Sequence, residues 1–176
     1  VAGYGAAQRL DSLFLLPAHA LGATVNSMAG QNIGVGKWQR VKQIAKLGVI
    51  YNTVVMLLFA GIIVLFSQYG IRLFIREEDA VQFGTRYLQI LAFFYPFLGI
   101  NFVLNGVVRA SGAMYQVLIL NLLSLWALRY PLAYIFSSLM GEDGVGVGIG
   151  VSFMLSSVIA FSYYYFGKWR DKRIFE

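Results

Sequence analysis

Long stretches without a charged residue constrain this chain more than any other feature. Five of them follow one another, and only the fourth is interrupted, by Arg129. Their bounds are 12–36, 47–71, 87–108, 110–141 and 144–167. A helix needs about 20 largely apolar residues to cross a bilayer. The pattern therefore predicts an all-α integral membrane protein, with five transmembrane helices at approximately 5–32, 45–68, 86–108, 114–139 and 144–167.

Composition agrees with this fold class and argues against others. Hydrophobic residues make up 59% of the 176 residues and charged residues 12%, whereas a soluble domain is about a quarter charged. With no cysteine and one histidine, the sequence cannot build a disulfide framework or a cysteine- or histidine-rich metal centre. Walker, HExxH and nucleophile-elbow motifs are absent from it. We therefore expect no enzyme activity, no catalytic residues, no cofactor and no metal site.

The basic residues predict an orientation in the membrane. Nine of the 14 lysines and arginines, including every lysine, lie after the first, third and fifth predicted spans. Since positive residues accumulate in cytoplasmic loops, we predict a multi-pass protein of the cell (inner) membrane. Its amino end is then external, and its carboxy tail with Lys172 and Arg173 is cytoplasmic. This distribution accounts for the net charge of +6, so we expect no nucleic acid partner.

One connector differs from the other loops. Residues 70–82 are apolar at first and then mixed in charge. Such an amphipathic segment is typical of a membrane interface. We predict that it lies at the interface on the outer side.

Polar side chains in the first span are candidate functional groups, because such groups are costly in lipid. On a helical wheel, Asp11, His19 and Asn26 fall on one stripe of about 100°, in a helix that Pro17 should kink. One interpretation of the stripe is the lining of a solute pathway, with Asp11 and His19 as candidate proton or cation groups. The other places Asp11 and Arg9 at the outer mouth, hydrated or paired, and makes His19 and Asn26 interhelical hydrogen bonders.

The third and fourth spans add two amides and an arginine. Asn101 and Asn105 lie one helical turn apart, after Pro96, and both cavity lining and interhelical bonding are open to them. We expect Arg129 to extend its charge to the outer interface, with a buried ion pair as the alternative. The cavity-lining candidates are Asp11, His19, Asn26, Asn101 and Asn105.

The fifth span begins with closely spaced glycines. A glycine every fourth residue lets another helix approach closely. Two such surfaces are predicted, one from Gly144 with Gly148 and one from Gly146 with Gly150.

The first 46 residues contain a specific motif, GQNIGVGK at 30–37, followed by a basic stretch that includes Arg40. In this motif and the helix before it, the segment resembles the multidrug and toxic compound extrusion (MATE) family. Further segments are similar to the tenth helix of that family, the loop after it and the eleventh helix: RYLQI at 86–90, YPF at 95–97, NGVVRASG at 105–112, and 121–134. The resemblance covers essentially the whole chain.

The resemblance implies that residues 1–176 are a partial carboxy-terminal lobe, corresponding to helices eight to twelve of a twelve-helix transporter. The start at Val1, without an initiator methionine, also leads us to expect a fragment. The partners implied are the missing amino-terminal half, the lipid bilayer and small organic cations or amphipaths. The implied activity is a multidrug efflux antiporter, which exchanges these compounds for Na+ or H+ by alternating access between two lobes.

One departure from the family pattern bears on ion coupling. The NorM-like branch has a coupling carboxylate in its tenth helix, whereas residues 87–108 contain none. The sequence is therefore more similar to the DinF-like bacterial branch, whose coupling aspartate lies in the first helix. The resemblance then implies that Na+ or H+ binds mainly in the missing half, and Asp11 matches no coupling position of the family. A lipid-linked oligosaccharide flippase of the same superfamily and a structural or channel subunit are the alternatives.

Overall fold

The computed structural model describes residues 2–171, which form helices and short links and contain no strand. Val1 and the predicted basic tail residues Lys172 and Arg173 lie outside this range. The elements in chain order are α1 (Ala2–Phe14), α2 (Leu16–Gly34), α3 (Trp38–Arg72), α4 (Glu78–Ala110), α5 (Met114–Leu122), a π-helix (Leu123–Leu128), α6 (Arg129–Met140), α7 (Glu142–Phe166) and a 3-10 helix (Lys168–Asp171).

The all-α class is confirmed, with four stretches that could cross a membrane. Within residues 2–171, the helices long and apolar enough are Trp38–Arg72, Glu78–Ala110, Met114–Met140 and Glu142–Phe166. The third of these joins α5, the π-helix and α6 into one continuous rod. The stretch predicted as the first span is divided between α1 and α2, and its crossing of the membrane stays a prediction.

The division between α1 and α2 lies at Leu15, two residues before the proline predicted to kink this span. Leu15 still donates its N–H to the carbonyl of Asp11 at 3.0 Å, and His19 donates to the carbonyl of Leu15 at 3.1 Å. Pro17 has no N–H to donate to the carbonyl of Leu13. The carbonyl of Leu13 therefore lacks this helical hydrogen bond, whereas the carbonyls of Asp11 and Leu15 accept theirs.

The predicted connector at 70–82 is not a separate element. Its first three residues end α3, residues 73–77 link the helices, and its last five begin α4. Arg72 and Glu78 form an ion pair across this link at 3.1 Å, with both side chains about half exposed. A location at the membrane interface stays a prediction.

The centre of the bundle is α4, which packs against α1, α2, α3 and α7. Its residues Leu88, Leu91, Tyr95, Val103 and Val107 are fully buried. By contrast, no residue of α6 is fully covered, because α6 packs mainly against α7. Helix α6 is therefore held to the bundle chiefly through α7.

The close helix approaches predicted at the glycines of α7 are confirmed, and they use two faces. Gly144 and Gly148 contact the backbone of α6, and a Cβ built on Gly148 would lie 2.6 Å from the Cα of Ala133. Gly146 and Gly150 instead contact side chains of α4. Their small size thus lets α7 lie between α4 and α6.

Candidate functional site

A cavity of about 580 Å³ lies between α1, α2, α4 and the helices from α5 to α7. The wall carries apolar groups such as Leu98, Phe102 and Phe153 as well as polar side chains. The structure brings all the predicted candidates to this wall: Asp11, His19, Asn26, Asn101 and Asn105. Participation in solute binding stays a prediction for each of them.

Asp11 is the acidic group of the cavity wall. Only 9% of its surface is exposed, and its carboxylate accepts a hydrogen bond from the hydroxyl of Tyr95 on α4. Tyr95 itself is fully buried. The observed partner of Asp11 is therefore a tyrosine of another helix, and the placement of Asp11 and Arg9 at the outer mouth, hydrated or paired, stays a prediction.

His19 and Asn26 lie further along the same wall on α2. The Nδ1 atom of His19 is 3.0 Å from the carbonyl oxygen of Leu15, and its ring lies 4.2 Å from the ring of Phe102 on α4. The predicted interhelical hydrogen bond of His19 is therefore wrong, because the bond stays within its own helical turn and the interhelical contact is between rings. Asn26 is half-buried where α2 and α4 approach closely.

The two asparagines of α4 combine both of the functions predicted for them. Asn101 and Asn105 are buried, and the Nδ2 atom of Asn105 donates to Oδ1 of Asn101 at 2.6 Å. The same Nδ2 lies 3.3 Å from Oδ1 of Asn121 on α5. The Oδ1 atom of Asn105 is buried without a partner among the described residues. These amides therefore line the cavity and also connect α4 to α5.

Arg129 lines the cavity, and the extension of its charge to the outer interface stays a prediction. Its guanidinium lies 5.7 Å above the ring of Phe153 on α7, a cation–π arrangement. Arg109 also lines the cavity. The sequence analysis had placed this residue on the basic face and had not predicted it at the cavity. Two guanidinium groups and one carboxylate thus contribute formal charge among the described lining residues.

Several lining residues escaped the sequence analysis. Ser152 and Ser156 are two of them, and in the structure each hydroxyl donates to a carbonyl of its own helix, at 2.6 Å in both cases. Asn121 lies just before the π-helix and Ser124 lies within it, in a stretch that is otherwise apolar. A π-helix often marks a functional site, but the residue pattern does not reveal where one forms.

The structure offers no clustered ligands for a metal ion in the part of the chain that it describes. Over residues 2–171, no three or more His, Cys, Asp or Glu side chains come together. The residues on the cavity wall can supply hydrogen bonds, charge attraction, ring contacts and proton exchange at Asp11 or His19.

Comparisons with known sequences identify relatives of this chain. The MatE family model matches residues 1–135. A probable multidrug resistance protein of Bacillus subtilis (strain 168), YpnP, is 58% identical over 99% of this chain and 39% of its own length. The FAD transporter of Shewanella oneidensis is 27% identical over 92% of this chain and 36% of its own length. The chain therefore spans about two-fifths of the length of these relatives.

A solved structure has the same fold. The Vibrio cholerae MATE transporter VcmN in the bent form aligns with 97% of this chain and 39% of its own, with a TM-score of 0.89 and 21% identity. At this low identity the similarity concerns the arrangement of the helices. It agrees with a helical bundle that occupies part of a larger architecture.

Proposed function

This chain belongs to the MatE family, and from that premise we propose that it is part of a multidrug efflux antiporter. The full protein would export cationic or amphipathic organic compounds in exchange for Na+ or H+. The name of the Bacillus subtilis relative, at 58% identity, supports the drug-export part of this proposal. An enzyme finds no support in the sequence motifs or in the chemistry of the cavity wall.

The observation that carries the proposal is the mixed cavity inside an apolar helix bundle. Polar and ionisable groups at membrane depth are expensive unless they face protein or water, and they mark solute and ion pathways. Here Asp11, the buried asparagines and Arg129 share one cavity with aromatic rings. A wall of this kind suits amphipathic compounds, because rings contact their apolar bodies and a few polar groups orient them.

The transport cycle we propose is alternating access, in which one lobe moves against another around a fixed site. The described helices would form the wall contributed by the carboxy-terminal lobe. The second wall, and most of the ion binding, would come from an amino-terminal half, in keeping with the share of the relatives that this chain covers.

The orientation we propose places the amino end outside and the carboxy tail in the cytoplasm of a cell (inner) membrane protein. The rings of Trp38 and Trp169 lie 6.2 Å apart. The basic loop before α3 and the start of the basic tail are therefore at the same end of the bundle. This grouping supports the proposal because it puts two of the three basic regions on one face.

The test is efflux by the full-length protein in a strain that lacks its own drug pumps. We expect cells expressing it to lower the accumulation of the cationic dye ethidium, and a Na+ or H+ ionophore to abolish the difference. The control is the same plasmid with an early stop codon. Expressed protein that fails to export any tested cationic or neutral amphipath, under either gradient, would refute the antiporter.

An anionic substrate, as for a lipid-linked oligosaccharide flippase, is the second candidate. The observation that favours it is the presence of Arg109 and Arg129 on the cavity wall, against Asp11 alone among the described acidic groups. The same cells distinguish the two candidates. Export of an anionic dye such as carboxyfluorescein, without export of ethidium, would support this alternative.

The structural-subunit alternative receives less support. A structural subunit would be expected to oligomerise through the glycines of α7. However, Gly148 already contacts α6 and Gly150 already contacts α4 within this chain. These surfaces are therefore used for packing inside the bundle.

A further inference from the structure

The hydrogen bond between Asp11 and Tyr95 holds an ionisable carboxylate at the cavity wall. Proton binding by this carboxylate can therefore be linked to solute binding in the cavity. Asp11 lines the cavity and is nine-tenths buried, so its carboxylate is in contact with the site and largely removed from bulk water. Tyr95 reaches it from α4, the central helix. The pair thus connects the first helix of the bundle to its core through one hydrogen bond.

We propose that Asp11, positioned by Tyr95, is a proton-binding group of this lobe and couples solute export to a proton gradient. The inference rests on the proposed antiporter function. It goes further by assigning a coupling group to a position that the family resemblance does not mark, in the half of the protein that was expected to contain none.

A proton fits the surroundings of Asp11 better than a metal cation does. Hard cations are held by several oxygen ligands, on the order of six, whereas the described contacts of Asp11 supply its own carboxylate and one hydroxyl. A proton needs one carboxylate oxygen.

Other titratable and charged groups face the same space and must be distinguished from Asp11. On α2, His19 lines the cavity. On α4, Arg109 lines it, and the buried Tyr87 interacts electrostatically with Asp11. Across it lies Arg129 at the start of α6. Among the described residues, α3, which also packs against α1, adds no side chain to the cavity wall. His19 is therefore the competing proton acceptor, since both arginines stay charged.

The proton balance of the step is simple. In the ionised state the carboxylate of Asp11 accepts the hydrogen bond of the Tyr95 hydroxyl. A proton from solution then binds a carboxylate oxygen, which removes one negative charge from the cavity. The neutral acid no longer attracts a cationic solute, so proton binding and cation binding oppose each other, as an exchanger requires.

The experiment uses the full-length protein in proteoliposomes with ethidium as the probe. Two quantities are measured for each variant: ethidium transport driven by a pH gradient, and ethidium exchange with no gradient. We expect Asp11→Asn to lose the gradient-driven part by about tenfold or more. Its ethidium exchange should be weaker than that of the wild type, because the attracting charge is gone, and should no longer depend on pH. Asp79→Asn is the matched control, because it makes the same substitution at an exposed carboxylate remote from the cavity.

The outcomes separate the two proposals. If the wild type neither drives nor exchanges ethidium or carboxyfluorescein, the proposed function fails. If the wild type responds to a pH gradient and Asp11→Asn responds equally, the coupling assignment is overturned. It is also overturned if only a Na+ gradient drives the wild type, or if His19→Gln removes the proton dependence while Asp11→Asn keeps it.

A second variant keeps the assignment testable if Asp11→Asn does not fold. Tyr95→Phe removes one hydroxyl and preserves the ring. Because the lost hydrogen bond stabilises the ionised carboxylate, we expect the pH midpoint of ethidium transport to move upward in this variant. An unchanged pH profile in a well-folded Tyr95→Phe protein overturns the role given to the pair.

Discussion

The substitution Gly148→Ala should destabilise the protein through the contact between α7 and α6. The new methyl carbon would lie 2.6 Å from the Cα of Ala133, about 0.9 Å inside the roughly 3.5 Å at which two carbon atoms attract best. It would also lie 2.6 Å from the carbonyl oxygen of Leu132. Both obstacles are backbone atoms, so no side-chain rotation relieves the overlap, and α6 must move outward. Overpacking of this kind costs about 1–3 kcal/mol.

The matched control is Gly61→Ala on α3, where a built Cβ meets nothing within 4 Å. Both variants exchange glycine for alanine inside a helix, so the gain in helix propensity, about 1 kcal/mol in water, is common to them. We expect Gly148→Ala to be less stable than Gly61→Ala by about 1–3 kcal/mol. The assay is equilibrium unfolding of the full-length protein in mixed micelles with increasing dodecyl sulfate. Equal stability of the two variants would refute the close approach of α6.

Three further predictions concern the cavity, the surface and the orientation. Replacing Asn105 with Leu should change which drugs the full-length protein exports while its expression stays intact, as measured by growth inhibition and immunoblot; lost expression would instead indicate that the amide is needed for packing. Arg72→Ala should lower the free energy of unfolding by at most about 1 kcal/mol, because its ion pair with Glu78 is half exposed. Single cysteines at Lys42 and Glu142, in a full-length background without other cysteines, should react with an impermeant maleimide from opposite sides; labelling of both from outside intact cells would contradict the proposed orientation.

The features of the fold that the sequence predicted depend on local pattern. A helix with a long uncharged stretch can be read from the residues themselves, as in α3 and α7. The glycine pairs of α7 were predictable for a similar reason, because a residue without a side chain at every fourth position creates a groove whatever occupies it. What the pattern could not provide was the partner of each groove, which is α6 for one and α4 for the other.

The position of Arg129 illustrates the opposite case. Its distance along the chain from the basic Arg109 suggested the outer interface, and an arginine there usually extends its charge toward water. In the structure it lies inside the Met114–Met140 stretch, and two features bring it to the cavity wall. A π-helix ends at the preceding residue and shifts the helical register, and Phe153 presents its ring from α7. Neither feature can be inferred from the residues around Arg129.

Helical periodicity predicts only part of the contact between Asp11 and Tyr95. One turn before Asp11 on α1 lies Ala7, which is completely buried, and this small residue allows α4 to approach the face that also carries the carboxylate. On α4, Leu88, Leu91 and Tyr95 recur at helical spacing and are all fully buried. Each face can be derived from its own helix. The contact between them joins residues 84 positions apart, and it depends on the register at which α1 meets α4. Since that register places the carboxylate of Asp11 opposite the hydroxyl of Tyr95, the candidate coupling group is a property of the packing and not of either helix alone.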